Sequence, residues 1–477
     1  MCIICAAVAA ASCSGVQIEG KLAGVPDIYP DYADVTVPAN IAPLNFSYVG
    51  EGKCCAIVES EGKTVTVKSR GGLVAFSPRE WKGLTCPGQD IKITLAVRKE
   101  GRWMAYEPFS IHVSSDTVDP YISYRLIPPG YQGWKTMGIY QRSLESYRQR
   151  AILENRLSGE NCINCHTYCQ RNPGRMLFHA RADFGGTFVI DGKNIEKLNT
   201  KTDSTVSALV YPYWHPEGRY VAFSVNATKQ SFFNHDPNRI EVFDSASDVV
   251  VYDTKTHIVS WSPLTKSPEM FETFPTFSPD GKWLYFCSSK AVGNMPYTYK
   301  EAHYGIYRIA FNAEDGALGD SLECVYDAEG MSASFPRISP DGKYLCFTKH
   351  AYGNFSIWHH DADLWIIDLE DGSSWPLDGA NSDDVDSYHD WDSSGKWMLF
   401  SSRRDDGLYT RLYIAHIDGT GHASKAFMLP QKDPKSYYQG LMDSYNIPEF
   451  MTGPVTLGKR SIANTMRETP GTDIKVK

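Results

Sequence analysis

Ser278-Pro279-Asp280-Gly281-Lys282-Trp283-Leu284-Tyr285-Phe286 returns further along the chain as Ser339-Pro340-Asp341-Gly342-Lys343-Tyr344-Leu345-Cys346-Phe347. Looser copies stand at His215-Pro216-Glu217-Gly218-Arg219-Tyr220-Val221-Ala222-Phe223 and Asp392-Ser393-Ser394-Gly395-Lys396-Trp397-Met398-Leu399-Phe400. Ser or Asp suits the first position of a type I turn, Pro presets φ at the second, and Gly takes the fourth. An apolar strand follows each turn. An aromatic residue or Ile precedes it: Trp214, Phe277, Ile338 and Trp391. The turn glycines are 63 (218 to 281), 61 (281 to 342) and 53 (342 to 395) residues apart. A minimal four-stranded repeat needs about 40–45, so long loops are inserted.

Each copy is followed by further strand-like runs, among them 247–253, 304–310, 362–368 and 410–415. Four strands per repeat is the pattern of a β-propeller blade. Met176 to Thr200 supplies a degenerate fifth blade, and residues near Tyr121 to Arg142 or the C-terminal tail complete a sixth. Radial closure protects sheet edges, so N- and C-terminal strands are expected to share a blade. Upstream, residues 35–115 alternate apolar and polar in short runs such as Lys63 to Lys68 and Asp90 to Val97. This predicts a small β-sandwich. The composition agrees with an all-β chain, with 28 Tyr, 21 Phe and 11 Trp. A net charge of −9 argues against nucleic acid as a partner.

Between these parts, residues 116–175 read as a helical linker. Ser143 is placed to cap a helix running to about Leu157, with Leu144, Tyr147 and Ala151 on one face and Gly159 as its stop. Asn161-Cys162-Ile163-Asn164-Cys165-His166 follows. Cys-x-x-Cys-His is the attachment pattern of c-type haem, the cysteines forming thioethers and the histidine an axial ligand. Two other readings stay open. Cys169 adds a thiol that would serve zinc, although adjacent Cys165 and His166 rarely both reach one tetrahedral ion. Alternatively, Cys162 and Cys165 form a disulfide or a thiol-exchange pair. For a haem iron, His179 is favoured over Met176 as the distal ligand. Arg181 shares the strand face of His179 and is placed for a propionate.

Met1 to Ser14 is apolar and small-residue-rich, like the core of an export signal. Ala10-Ala11-Ser12-Cys13 reads as a lipoprotein cleavage site with Cys13 lipidated. Residues 1–20 are therefore assigned to export, 21–34 to a linker, 176–430 to the propeller and 431–477 to a tail that packs on or closes it. Of 12 cysteines, Cys54, Cys55 and Cys86 fall in one segment and would pair in an exported protein. Cys287, Cys324 and Cys346 sit in strand-like runs and read as small core residues.

The repeats resemble those of TolB-like propellers. Over roughly residues 120 to 450 the chain is similar to a family of exported bacterial propeller lipoproteins with one embedded Cys-x-x-Cys-His, often labelled cytochrome c biosynthesis proteins. The stretches that carry this are Cys162 to His166, Phe178-His179-Ala180-Arg181, Tyr388-His389 and Ser401 to Arg411. The resemblance implies an envelope protein, lipid-anchored in the periplasm or outer membrane, that binds other envelope proteins or redox partners. Covalent haem c is its expected cofactor.

One more cluster, His389, Asp390, Arg403, Arg404 and Asp405, falls in the last full repeat and marks a propeller-face site for a peptide, glycan or metal. No Gly-x-Ser-x-Gly elbow or His-Glu-x-x-His helix occurs. A haemless interaction or glycan-binding scaffold, and a propeller enzyme such as a polysaccharide lyase using His359 or His389, are the alternative functions.

Overall fold

The computed structural model describes residues 16–129 and 136–477. Residues 1–15 of the export segment, Cys13 among them, lie outside the described residues. The chain divides into two compact units: the residues up to Ser115 with Pro430–Tyr438, and Asp116–Leu429 with Gln439–Lys477.

The smaller unit is built on Asp90–Lys99, whose Ile91, Ile93 and Leu95 alternate inward and are fully buried. This strand pairs with Cys54–Ser60, Arg102–Ala105 and Phe109–Ser114 in a seven-stranded sheet. A second sheet joins Ile28–Tyr29, Phe46–Tyr48 and Leu73–Val74. The two-sheet expectation holds, but the boundaries shift. Ile18–Lys21, assigned to the export segment, pairs in parallel with the strand at Trp103–Ala105. Ile28–Tyr29, assigned to the linker, is a strand. Pro430–Tyr438, assigned in part to the tail, groups with this unit because Asn45 Nδ2 donates to Lys432 O at 2.9 Å. The helix Pro78–Leu84 is closed at its start by a reciprocal Ser77–Glu80 capping box.

Among the described residues the larger unit contains six sheets of four or five strands. Five are built from consecutive strands whose innermost members are Ile163–Tyr168, Val210–Trp214, Met270–Phe277, Ser332–Ile338 and Asp386–Trp391. The sixth draws its innermost strand, Ser444–Met451, from near the C-terminus and the rest from Tyr121–Ile127, Gly138–Ser143 and Gln149–Glu154. Each innermost strand touches the next, and Ser444–Met451 touches both Asp386–Trp391 and Ile163–Tyr168. The sheets therefore close into a ring, a β-propeller with a central channel. Two short tail strands, Thr472–Asp473 and Lys475–Val476, add in parallel to the outer edges of two neighbouring sheets.

The repeated turns hold as the sequence indicates. Gly281 and Gly342 take φ of 72° and 76°, the left-handed residue of a type I turn with a bulge. Ser278 Oγ accepts from Trp283 N at 3.0 Å, and Ser339 Oγ from Tyr344 N at 2.9 Å. His215 replaces the serine at its turn, and its Nε2 lies 3.0 Å from Gly281 O in the next sheet.

The helix expected over 143–157 is absent. Gly138–Ser143 and Gln149–Glu154 form an antiparallel pair, with only a short 3-10 turn at Asn155–Leu157. Pairing with Tyr121–Ile127 satisfies the backbone of this stretch, and tertiary pairing overrides local helical spacing. Consequently the Cys-x-x-Cys-His stretch does not follow a helix. It leads into an innermost propeller strand.

Candidate functional site

Every innermost strand carries the same irregularity. One residue has positive φ: Cys165, Tyr211, Phe274, Phe335, Tyr388 and Ile447, all between 47° and 53°. A register shift accompanies it in each sheet. The next residue is Pro212, Pro275, Pro336 or Pro448, or else His389 or His166. Proline cannot donate to a ladder and is tolerated where a bulge has already broken it. Cys165-His166 thus fills the aromatic–Pro position of its neighbours. The rings of Tyr211, Phe274, Phe335 and Tyr388 contact in series, with centroids 4.9, 4.0 and 4.6 Å apart, and link four neighbouring innermost strands.

His166 is buried, and neither ring nitrogen has a hydrogen-bond partner. Burial, with a contribution from the Arg125 charge, pushes its pKa down to about 3, so the ring is a neutral imidazole. Burial pushes the Cys165 thiol up. Cys162 precedes the strand, accepts from Asn164 Nδ2 at 3.5 Å, and borders a cavity of about 340 Å³. Arg125, Met137, Trp358, Arg403 and Leu408 also line this cavity. It lies at the end of the channel where the innermost strands begin, called here the mouth. A second cavity of about 540 Å³ shares Pro129, Trp358, Arg403 and Leu408 with the first. The long hairpin of Tyr220–Phe232 and Ile240–Asp253 contributes Gln230 and Phe232 to the first and Ile240 to the second.

The other sequence-chosen residues scatter around this point. His179 lies opposite Asn164, with its Nδ1 3.1 Å from Thr187 Oγ1; burial holds its pKa near 3. Met176 lies opposite Tyr168 at the far end of the strand, in an apolar core with Phe178 and Phe188. Arg181 is exposed, and its backbone N donates to Cys162 O at 2.9 Å. Cys169 follows the strand at its turn end, roughly 20 Å from Cys162 at ~3.3 Å per residue, so the thiols expected for zinc do not converge. The described cysteines, including Cys162, Cys165, Cys54, Cys55 and Cys86, are free thiols.

The cluster in the last repeat also divides. His389 Nε2 lies 3.0 Å from Cys346 O in the adjoining sheet. Asp390 accepts from Phe450 N at 2.8 Å and faces Arg171, at the turn end of the channel. Arg404 pairs with buried Asp386 at 2.5 Å. Asp405 is half-buried on the loop that follows. Only Arg403 faces the mouth cavities.

Two features escaped the sequence. One is the mouth cavity itself, assembled from stretches with no local motif. The other is a buried polar network that holds the long hairpin. Glu241 lies 3.1 Å from His359 Nε2. Asp244 Oδ2 accepts from Asn226 Nδ2 and Asn354 Nδ2, both at 2.8 Å.

TolB from Acinetobacter baumannii is 14% identical, matching 78% of this chain and 85% of its own, with a TM-score of 0.43. The fold is similar to TolB's. The β-propeller domain of the Trilobed protease from Pyrococcus furiosus is 12% identical over 84% of this chain and 97% of its own, with a TM-score of 0.35. Kuenenia stuttgartiensis hydrazine synthase is 14% identical over 71% of this chain but 48% of its own, with a TM-score of 0.44. No protein-family profile matches, and no curated protein matches. The likeness to TolB and the other propellers extends to the fold alone. Among the described residues no helix is long and apolar enough to cross a membrane.

Proposed function

We propose that this chain is an exported envelope protein, lipid-anchored through Cys13, whose propeller carries a c-type haem at the channel mouth and docks envelope or redox partners. Cys162 and Cys165 would tether the group and His166 would be its axial ligand. The observation that carries the reading is His166: a neutral, buried imidazole with both nitrogens unpartnered, four residues from a cysteine that borders an apolar cavity. Buried polar atoms are nearly always satisfied, and an orphaned imidazole is accounted for by a ligand it is made to bind. Burial keeps the ring deprotonated and ready to coordinate. His179, opposite Asn164 in the neighbouring strand and held by Thr187, is the candidate for a second axial position. When bound, haem supplies one-electron transfer if a second ligand is present, or small-ligand binding if not.

The test is production in cells with haem-attachment machinery, followed by a covalent haem stain and a pyridine haemochrome spectrum. A c-type spectrum lost in Cys162→Ser/Cys165→Ser is expected. A folded, full-length and colourless protein from such cells refutes the reading.

A second reading has its own observation. Cys165-His166 occupies the same bulge as Tyr211-Pro212, Phe274-Pro275 and Phe335-Pro336. A haemless TolB-like scaffold would place any packing residue there, and partner binding would then survive the double cysteine substitution.

A further inference from the structure

The mouth cavity has a charge pattern that the tether alone leaves unexplained. Arg125 and Arg403 both line it, and none of its described lining residues is acidic. Arg403 is 8% exposed. Its Nη2 donates to Ile357 O at 2.7 Å and its guanidinium lies 4.9 Å from the Trp358 ring centroid. Its Nε is buried without a partner, and Asp384 and Asp406 act on it only at longer range. Arg125 Nη2 donates to Asn446 Oδ1 at 2.5 Å, and its Nε is likewise buried without a partner. A buried charge is costly unless paired. This chain has 56 Asp and Glu, yet the contacts described for the two guanidinium groups are to a carbonyl, an amide and an indole rather than a carboxylate, and the acids Asp406 and Asp236 line the adjoining second cavity. The remaining wall, including Ile127, Met137, Phe232 and Leu408, is largely apolar.

We propose that the mouth cavity binds an apolar molecule carrying two carboxylates, one held by Arg403 and the other by Arg125. The guanidinium fork matches a carboxylate bidentately. The concave, mostly apolar wall suits a small molecule rather than a polypeptide. The shared lining of the second cavity leaves room for a ligand larger than the first alone. This inference goes beyond the tether. The propionates of a covalently held porphyrin and the carboxylates of a free apolar diacid present the same chemistry to the two arginines.

The experiment uses the full chain made without haem-attachment machinery. The probes are metal-free mesoporphyrin IX, which has two carboxylates and no vinyl groups to form thioethers, and its dimethyl ester. Binding is followed by quenching of tryptophan fluorescence. The diacid is expected to bind at least tenfold more tightly than the diester, and added salt should narrow the gap. Arg403→Gln and Arg125→Gln should each weaken the diacid about tenfold and leave the diester unchanged, while Cys162→Ser changes neither. Equal binding of diacid and diester by the unsubstituted protein, or no binding of either, overturns the proposal without recourse to a variant. A diacid-selective cavity in a protein that never acquires haem would sink the tether and keep the arginine site, pointing to a free diacid. Covalent haem in a protein blind to the two carboxylates would do the reverse.

Discussion

Asp244→Asn should stabilise the protein above neutral pH, with the gain shrinking through mild acid and vanishing near pH 4. Asp244 sits in the long hairpin, 1% exposed. Its Oδ2 accepts from Asn226 and Asn354, while its Oδ1 is buried without a partner. The two amide donors favour the ionised form, but burial outweighs them and raises the pKa from 3.8 to about 7. A carboxyl raised in the folded state contributes stability that is fully present below its unfolded pKa and lost as pH rises through the folded value. Between pH 3.8 and 7 that loss reaches about 4 kcal/mol, at 1.36 kcal/mol per unit. An amide keeps an acceptor for Asn226 and Asn354 and removes the charge. Urea unfolding of both proteins from pH 4 to 8.5 checks this. The variant should gain roughly 1–4 kcal/mol at pH 8, and the two curves should converge towards pH 4, near the unfolded value of 3.8. A variant less stable at pH 8, or a difference independent of pH, would refute a desolvated, protonatable Asp244.

Two other expectations concern the ring. Phe335→Ala removes the ring that contacts both Phe274 and Tyr388; the loss should be about 3–5 kcal/mol by denaturant midpoint, and one below 1 kcal/mol would contradict that packing. Gly342→Ala and Gly281→Ala separate backbone strain from crowding. Both have positive φ, but a Cβ at 342 meets nothing within 4 Å, whereas one at 281 meets the His215 ring. The first should cost about 1–2 kcal/mol in thermal unfolding, the second clearly more.

The ring was legible in the sequence because its turns are chemically demanding. Only Gly fits comfortably at 281 and 342, and Ser278 and Ser339 are needed to cap the turn, so these residues recur. The bulge was equally present in the letters. Four residues from Cys165 to Tyr168 align with Phe274 to Phe277, Phe335 to Ile338, Tyr388 to Trp391 and Ile447 to Phe450. Extending the turn repeat upstream would have put Cys165-His166 in a strand. Instead, Leu144, Tyr147 and Ala151 mimicked a helical face, and nothing local records that Tyr121–Ile127 pairs beside them. The mouth cavity was not legible for a related reason. Arg125, Cys162, Trp358 and Arg403 share no sequence spacing and meet only when the ring closes.

That closure sets an order of events. Arg125 and Asn446 are hydrogen-bonded neighbours 321 residues apart in sequence, while the other five sheets take their four blade strands from consecutive stretches, with two of them gaining a short tail strand at the outer edge. Local contacts form early and distant ones late. The sheet that closes the ring also supplies Arg125, Ile127, Ser444 and Asn446 to the cavity wall. The pocket is thus complete only once the two ends of the larger unit have met. Before Ser444–Met451 pairs with Tyr121–Ile127, Cys162 would lie at an unsealed seam, open to the attachment machinery that the proposed tether requires. Under that proposal, chemistry at the sulfur would have a time window as well as a place, and pairing of one strand would shut it.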